Sequence, residues 1–327
     1  MKAVRIHETG GPEVLGVEEV DTPAPGPGQV LIRAGVAGVN FTDVMARQGA
    51  YIAAAAAPQL PAILGTEVAG VIAATGPGVP GDLAGRRVVA FVRGGYAEYA
   101  IAPTELVTEL PPGIDLAEAT AYLVQGVTAW QLLTDCGHIA PGESVLVHSA
   151  AGGVGTLAVQ LARVLGASTV IATAGSAAKR DLAAELGADV VADYTAPGWT
   201  DEVLALTEGR GADIILDAVG GDIGEQSLDC LAPFGRLVTY GVSSKRLAPF
   251  AGTQLMQKNQ TVAGYWLTSR LAADSQSVAE VVADLLKLAD AGQLRGVVKH
   301  AFALEDAADA HRAISDRRTV GKVVLTI

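Results

Sequence analysis

Apolar positions in the first third of the chain come in short runs of strand length, KAVRI, QVLIRAGVAG, VAGVIAATG and RRVVAFV, broken by PAPGPGQ and GPGVPG. Branched apolar runs bounded by glycine and proline turns predict an irregular, mostly antiparallel β domain. One short helix is expected after Asn40. From about residue 124 the rhythm changes to apolar strands alternating with helical stretches, as in a parallel sheet with helices on both faces. The expected strands are SVLVHS (144–149), STVIAT (168–173), DVVADY (189–194), ADIILD (212–217), RLVTYG (236–241) and TVAGYW (261–266). Between the first two, Val154, Leu157, Ala158, Leu161 and Leu165 recur at helical spacing, and Gly166-Ala167 ends that helix.

Beyond residue 266 the pattern loses its parallel-sheet rhythm. Val278, Val281, Val282, Leu285 and Leu288 form one amphipathic helical stripe, and the chain closes with GKVVLTI. These pieces are expected to return to the first domain. The prediction is an α/β chain in which residues 1–123 and 267–327 build a β-rich domain and residues 124–266 form an inserted domain with a six-stranded, doubly wound parallel sheet.

Composition narrows the partners. The chain has 327 residues, half of them hydrophobic, and a formal charge of −12. Two cores of ordinary size fit this length. The acidic balance, without Lys/Arg clusters, argues against nucleic acid or an anionic membrane as partner, since both need a concentrated basic face. No apolar stretch has the length of a membrane span, and MKAVRIHETGGPEVL lacks the apolar run of a secretory leader, so a cytoplasmic protein is expected. Cys136 and Cys230 stand far apart, which leaves neither a disulfide framework nor a thiolate zinc site.

The main chemical motif is HSAAGGVGTLAVQLARVLGA, placed between the first strand of the inserted domain and the helix it feeds. Gly152 would let backbone approach a pyrophosphate and Gly155 would let the helix pack close to the sheet. Gly153 and Val154 complete the loop, where the helix start offers free amides and the positive end of its dipole. Ala150 takes the place of the first glycine in the usual GxGxxG. The alternative is a glycine-rich turn used only for packing.

The end of the second strand selects between dinucleotides. NAD-selective domains place a carboxylate there to bind the ribose hydroxyls. This chain has Ala174-Gly175-Ser176-Ala177-Ala178-Lys179-Arg180 instead. Ser176 can donate a hydrogen bond, and Lys179 or Arg180 can neutralise a 2′-phosphate, so NADPH is the expected cofactor. Otherwise both cations belong to a solvated first helical turn. Gly220, Gly241, Val242 and Ser243 follow later strands at the sheet's carboxyl edge, where open α/β sheets bind ligand.

NFTDVMARQGAY, LGTEVAG, QGVTAW, AAGGVGTLAVQLAR and TVGKVV together resemble the zinc-independent quinone oxidoreductases of the medium-chain dehydrogenase/reductase superfamily, over essentially the whole chain. The resemblance implies a GroES-like catalytic domain, a Rossmann cofactor domain, an active-site cleft between them and a homodimer. It also implies that Asn40, Asp43 and Tyr51 lie near the nicotinamide and the substrate mouth, that Gln125 and Thr128 line the nicotinamide, and that Tyr194 and Arg317 contact the cofactor. The alternatives stay open that Asn40 caps its helix, Tyr51 is a loop aromatic and Arg317 is a surface charge.

Zinc enzymes of that superfamily have cysteine, histidine and cysteine where this chain has Asn40, Thr66 and Gln125. Two amides and a hydroxyl cannot replace two thiolates and an imidazole, and the four cysteines of a structural zinc lobe are missing too, so no metal is expected. Without a Lewis acid, alcohol oxidation is hard, whereas a quinone or an enone accepts hydride with its charge delocalised onto oxygen. The expected activity is NADPH-dependent reduction of a small quinone or related conjugated carbonyl. Its rivals are an enoyl reductase acting on an enoyl thioester or enone, and an NADPH-binding sensor without turnover.

The five histidines are scattered, and His148, inside a strand, reads as a satisfied core or edge residue. Glu67, between glycines in LGTEVAG, invites a metal or general-base role. With Thr66 in the place of a histidine ligand, it is expected instead to make structural hydrogen bonds or an ion pair.

Overall fold

The computed structural model describes residues 1–50 and 58–327. The chain divides into two compact units, Met1–Gln125 with Leu271–Ile327, and Gly126–Arg270.

The first unit is built on a seven-stranded sheet. Its path runs Val298–Ala303, Lys322–Thr326, Gln29–Val39, Glu67–Thr75, Arg87–Phe91 and Val107–Glu109, with Tyr99–Pro103 also pairing on Gln29–Val39. Gln29–Val39 pairs with Glu67–Thr75 along residues 30–37, with Tyr99–Pro103 along residues 29–33 and with Lys322–Thr326 along residues 36–39, and its register against Glu67–Thr75 shifts at Leu31/Ile32 and Ala34/Val36. A smaller sheet joins Gly16–Glu19, Lys2–Ile6 and Ala62–Ile63. Alternate residues of these strands point inward, so Ile6, Val30, Ile32, Val39, Val68, Ile72, Val88, Val323 and Leu325 form one buried cluster. Each such side chain contributes about 1.5–3 kcal/mol of burial.

Leu271–Ile327 lie in this unit. Lys322–Thr326 pairs antiparallel with Gln29–Val39, placing Val323 opposite Val39. One detail departs from the antiparallel expectation: Val298–Ala303 and Lys322–Thr326 run parallel. The helix Ala307–Ser315 between them is the crossover that parallel neighbours require. The stripe around residue 280 forms the helix Ser275–Asp290, which buries Val278, Val282, Leu285 and Leu286.

The second unit holds a six-stranded, all-parallel sheet in the order Val190–Ala192, Thr169–Thr173, Ser144–Val147, Ala212–Asp217, Leu231–Thr239, Thr261–Gly264. Sequence order reverses between Ser144–Val147 and Ala212–Asp217, which makes the sheet doubly wound and sets its switch point. Both central strands are buried along their whole length, as a sheet covered on two faces demands. All six expected strands exist. The fifth starts earlier than RLVTYG suggests, at Leu231, because the chain bulges through Pro233-Phe234-Gly235, with Phe234 at φ +62° and exposed. The helices between Leu116 and Cys136 contain two π-helical turns, Tyr122–Val127 and Leu132–Cys136, that no sequence period announced.

Candidate functional site

In the second unit, the strand Ser144–Val147 passes through Ser149, in the left-handed region at φ +51°, to the helix Gly153–Val164 capped by Gly152. Gly155 has no room for a side chain. A Cβ there would lie 2.4 Å from the Ser149 carbonyl oxygen and 2.6 Å from Ala150 Cα. A Cβ on Gly152 would meet only the Ser149 oxygen, at 3.2 Å. One glycine therefore serves close packing, while the other keeps a space beside the helix start clear of side-chain atoms. Ala150 is fully buried and its φ is not positive, so this backbone does not need the missing first glycine. The amides of Gly153, Val154 and Gly155 open the helix, where backbone N–H groups lack intrahelical acceptors and could hold an anion.

At the end of the neighbouring strand, Gly175 is exposed and Ser176 caps the helix Ala177–Glu185. Arg180 donates to the Ala174 carbonyl at 3.0 Å and to Asp193 Oδ2 at 2.7 Å, so its guanidinium is committed to the next loop. Hydrogen bonds from Thr195, and then the Arg180 charge, hold Asp193 below the usual carboxylate range. Lys179 is half-buried one position earlier. Tyr194 is half-buried, with its ring edge-on to His148 at 6.1 Å between centroids.

The remaining positions of the second unit fall at strand ends or helix starts. Asp217 closes the fourth strand by accepting from Val219 N at 2.7 Å and Gly220 N at 3.1 Å, with Gly220 at φ +67°. Gly241, Val242 and Ser243 follow the fifth strand, and Ser243 N donates to Ala218 O at 2.9 Å. Thr128 is buried at the start of the helix Thr128–Gln131. His148 is fully buried between Thr173 Oγ1 at 2.7 Å and Ser227 Oγ at 2.9 Å, and burial pushes its pKa down to about 4. It is a satisfied core residue.

The first unit contains a buried polar cluster around Asn40, at the junction between Gln29–Val39 and the helix Phe41–Gln48. Asn40 N donates to Asp43 Oδ2 at 2.8 Å, which ties the helix start. Its side chain is engaged on both ends. Nδ2 donates to Glu67 Oε1 at 2.8 Å, while Oδ1 accepts from Lys322 Nζ at 3.0 Å and Gln125 Nε2 at 3.3 Å. Glu67 and Lys322 form an ion pair in which neither side chain is exposed. Glu67 Oε2 also accepts from Val124 N at 2.9 Å. Gly38 makes space for this carboxylate, since a Cβ there would overlap Glu67 Oε1.

Asp43 leads away from Asn40. Tyr96 OH donates to Asp43 Oδ2 at 3.2 Å and lies 3.1 Å from His311 Nε2. Burial pushes the Asp43 carboxyl up to about 7, against the Asn40 amide hydrogen bond that favours its charged form. Burial, and then the Arg47 charge, lowers His311 to about 3. Gln125 Oε1 and Thr66 Oγ1 are buried without a hydrogen-bond partner among the described residues. Among those residues no three His, Cys, Asp or Glu side chains group as metal ligands.

The structure thus brings Asn40, Asp43 and Gln125 together in the first unit. The loop 152–155, Gly175, Ser176, Lys179, Tyr194, Gly220 and 241–243 gather at the carboxyl side of the parallel sheet in the second. Tyr51 lies outside the described residues. Arg317 follows the helix Ala307–Ser315 in the left-handed region, at φ +55°. Lys322, Tyr96 and His311 were not singled out from sequence. The one available sign was a lysine heading the apolar run KVVLTI.

The chain is similar to known proteins along its length. The alcohol dehydrogenase GroES-like domain matches residues 26–112, and the family described as zinc-binding dehydrogenase matches residues 153–287. A quinone oxidoreductase of Pseudomonas aeruginosa is 37% identical over 99% of this chain and 99% of its own length. The human synaptic vesicle membrane protein VAT-1 homolog is 38% identical over 93% of this chain and 80% of its own. The crystal structure of Escherichia coli quinone oxidoreductase complexed with NADPH superposes with a TM-score of 0.92 at 32% identity, covering all of both chains.

Proposed function

The chain belongs to the zinc-independent quinone oxidoreductase family of medium-chain dehydrogenases/reductases, and on that premise we propose that it is an NADPH-dependent reductase that passes hydride to a quinone or related conjugated carbonyl. The observation that carries this is the loop at residues 152–155. Its backbone amides open a helix, Gly152 keeps the approach clear, and Gly155 seats the helix on the strand end. These residues fit a pyrophosphate. Ser176 and Lys179, beside Gly175 and Tyr194, suit the 2′-phosphate of NADPH, and Arg180 donates to Asp193.

NADPH supplies the hydride from C4 of its nicotinamide. The protein's share is to bind and orient. We assign the cofactor-binding role to residues 124–266, through the loop 152–155, Gly220, Gly241, Val242, Ser243 and Thr128, and the catalytic role to residues 1–123 and 267–327. From those residues Asn40, Asp43 and Tyr51 serve the reacting atoms, and Asn40 and Arg317 reach the cofactor, as does Gln125, which falls in the first unit. The proposal carries a cytoplasmic homodimer, which fractionation and light scattering test.

The decisive assay follows NADPH oxidation by its absorbance with a simple quinone, an enone and an enoyl thioester. Faster turnover of the quinone supports the assignment, and a substantial preference for the thioester would move it to an enoyl reductase. If NADPH raises the melting temperature but no acceptor oxidises it, the protein is a sensor and the reductase assignment is lost.

A further inference from the structure

The hydrogen-bonding capacity of Asn40 is almost exhausted by its neighbours. Both acceptor positions of Oδ1 are taken, by Lys322 Nζ at 3.0 Å and Gln125 Nε2 at 3.3 Å, and one Nδ2 hydrogen goes to Glu67 Oε1 at 2.8 Å. A single Nδ2–H is left without a partner among the described residues. Asn40 can therefore serve a ligand in only one way, as a donor to an acceptor atom.

Charge fixes which way the amide faces. Turning it over would set its carbonyl oxygen against the Glu67 carboxylate and its NH2 against the Lys322 ammonium. Neither charged group can swing away to water, because both side chains are fully buried. Val124 N holds the far carboxylate oxygen at 2.9 Å, and Gly38 leaves the space in which the carboxylate lies. A cation on the amide oxygen also draws electron density from the nitrogen, which strengthens the remaining N–H as a donor.

We propose that Lys322 and Glu67 are positioning residues of the reductase, which together orient and polarise the Asn40 carboxamide so that its remaining Nδ2–H donates to the carbonyl oxygen of the substrate. This rests on the reductase assignment above and adds to it the residues that aim the donor. During reduction the C4–H bond of a bound dihydronicotinamide would break with its electron pair, oxidising the cofactor, a C–H bond would form at the acceptor carbon, and the displaced π-electron pair would move onto the carbonyl oxygen. The hydrogen bond from Asn40 Nδ2–H strengthens as that oxygen becomes anionic, and water then supplies the proton that completes the product. Asn40 loses no proton. The ion pair does for the donor what a metal would do directly for the oxygen, without adding net charge to the interior.

The test is a double-mutant cycle in the full-length protein. Quinone-dependent NADPH oxidation by the wild type comes first, because its absence with every acceptor would overturn the reductase assignment and this proposal with it. Lys322→Met with Glu67→Gln leaves a neutral pair that accepts the Asn40 amide in either orientation. The expected result is a loss of kcat of about tenfold or more with NADPH affinity held within about threefold, and a change of less than about twofold in the Asn40→Ala background. Near wild-type kcat in the folded double variant, or equal fractional losses with and without Asn40, would overturn the proposal. Should the double variant not fold, Glu67→Asp withdraws the carboxylate by one methylene. It is expected to lower kcat about fivefold, an effect that vanishes in the Asn40→Ala background, and a loss that persists there rejects the positioning role.

Discussion

Lys322→Met tests the buried cluster independently of any activity. The substitution keeps the length of the side chain but removes the ammonium, leaving Glu67 with hydrogen bonds from Asn40 Nδ2 at 2.8 Å and Val124 N at 2.9 Å and no cation. Both partners are fully buried, so solvent screening does not soften the loss. Breaking a buried pair from one side costs about 3–5 kcal/mol. For a unit of this size that corresponds to a fall in melting temperature of roughly 6–20 °C, since each kcal/mol moves it by about 2–4 °C. Thermal and urea unfolding of wild type and variant measure it. Adding Glu67→Gln should recover at least about 2 kcal/mol, because replacing both members of a buried pair costs far less than removing one. A single-variant cost below about 1 kcal/mol, or a double variant no more stable than the single, would refute the claim that the pair is an electrostatic unit.

Three further outcomes are expected. Gly155→Ala should destabilise the protein by about 1–3 kcal/mol, since its Cβ would fall 2.4 Å from the Ser149 carbonyl, whereas Gly152→Val should fold and lose affinity for both NADPH and NADH. Unaltered cofactor titrations for Gly152→Val would discredit the loop assignment. Lys179→Ala should weaken NADPH by about one to two decades and NADH far less, from the loss of a charge-assisted bond worth roughly 1.5–3 kcal/mol, and equal losses by calorimetry would remove Lys179 from the 2′-phosphate. His148 is buried neutral with its pKa lowered to about 4, so the unfolded chain takes up a proton first as acidity rises, and stability falls between about pH 6.5 and 4 by about 3 kcal/mol. His148→Gln should flatten that part of the pH–stability curve, and an unchanged slope would show that the loss arises elsewhere.

Local pattern carried most of the fold. The six parallel strands were legible because each is a continuous apolar run between turn residues, and the loop at 152–155 because its glycines sit between such a run and a helical period. The extra start of the fifth strand was not, since Pro233 and Gly235 read as a turn, and the π-helical turns after Leu116 leave no period to recognise. At the end of the second parallel strand, sequence offered Lys179 or Arg180 for a 2′-phosphate and favoured Lys179. The bond from Arg180 to Asp193, 13 residues further on in the next loop, was not legible there.

Glu67 marks the limit of local reading. A carboxylate between glycines and short apolar residues states that something must balance it, but not what. The spacing to the places where zinc relatives have ligands removed a metal from consideration, and left the acid as a remnant seeking hydrogen bonds. Its counterion comes from the other end of the chain: Lys322, 255 positions away, reaches it because the C-terminal strand lies antiparallel against Gln29–Val39, with Val323 opposite Val39. That register brings the lysine beside Asn40, so one strand pairing closes the sheet, neutralises the acid and loads the amide. A chain ending before Lys322–Thr326 would lose all three together, which ties the integrity of the candidate site to the last strand of the fold.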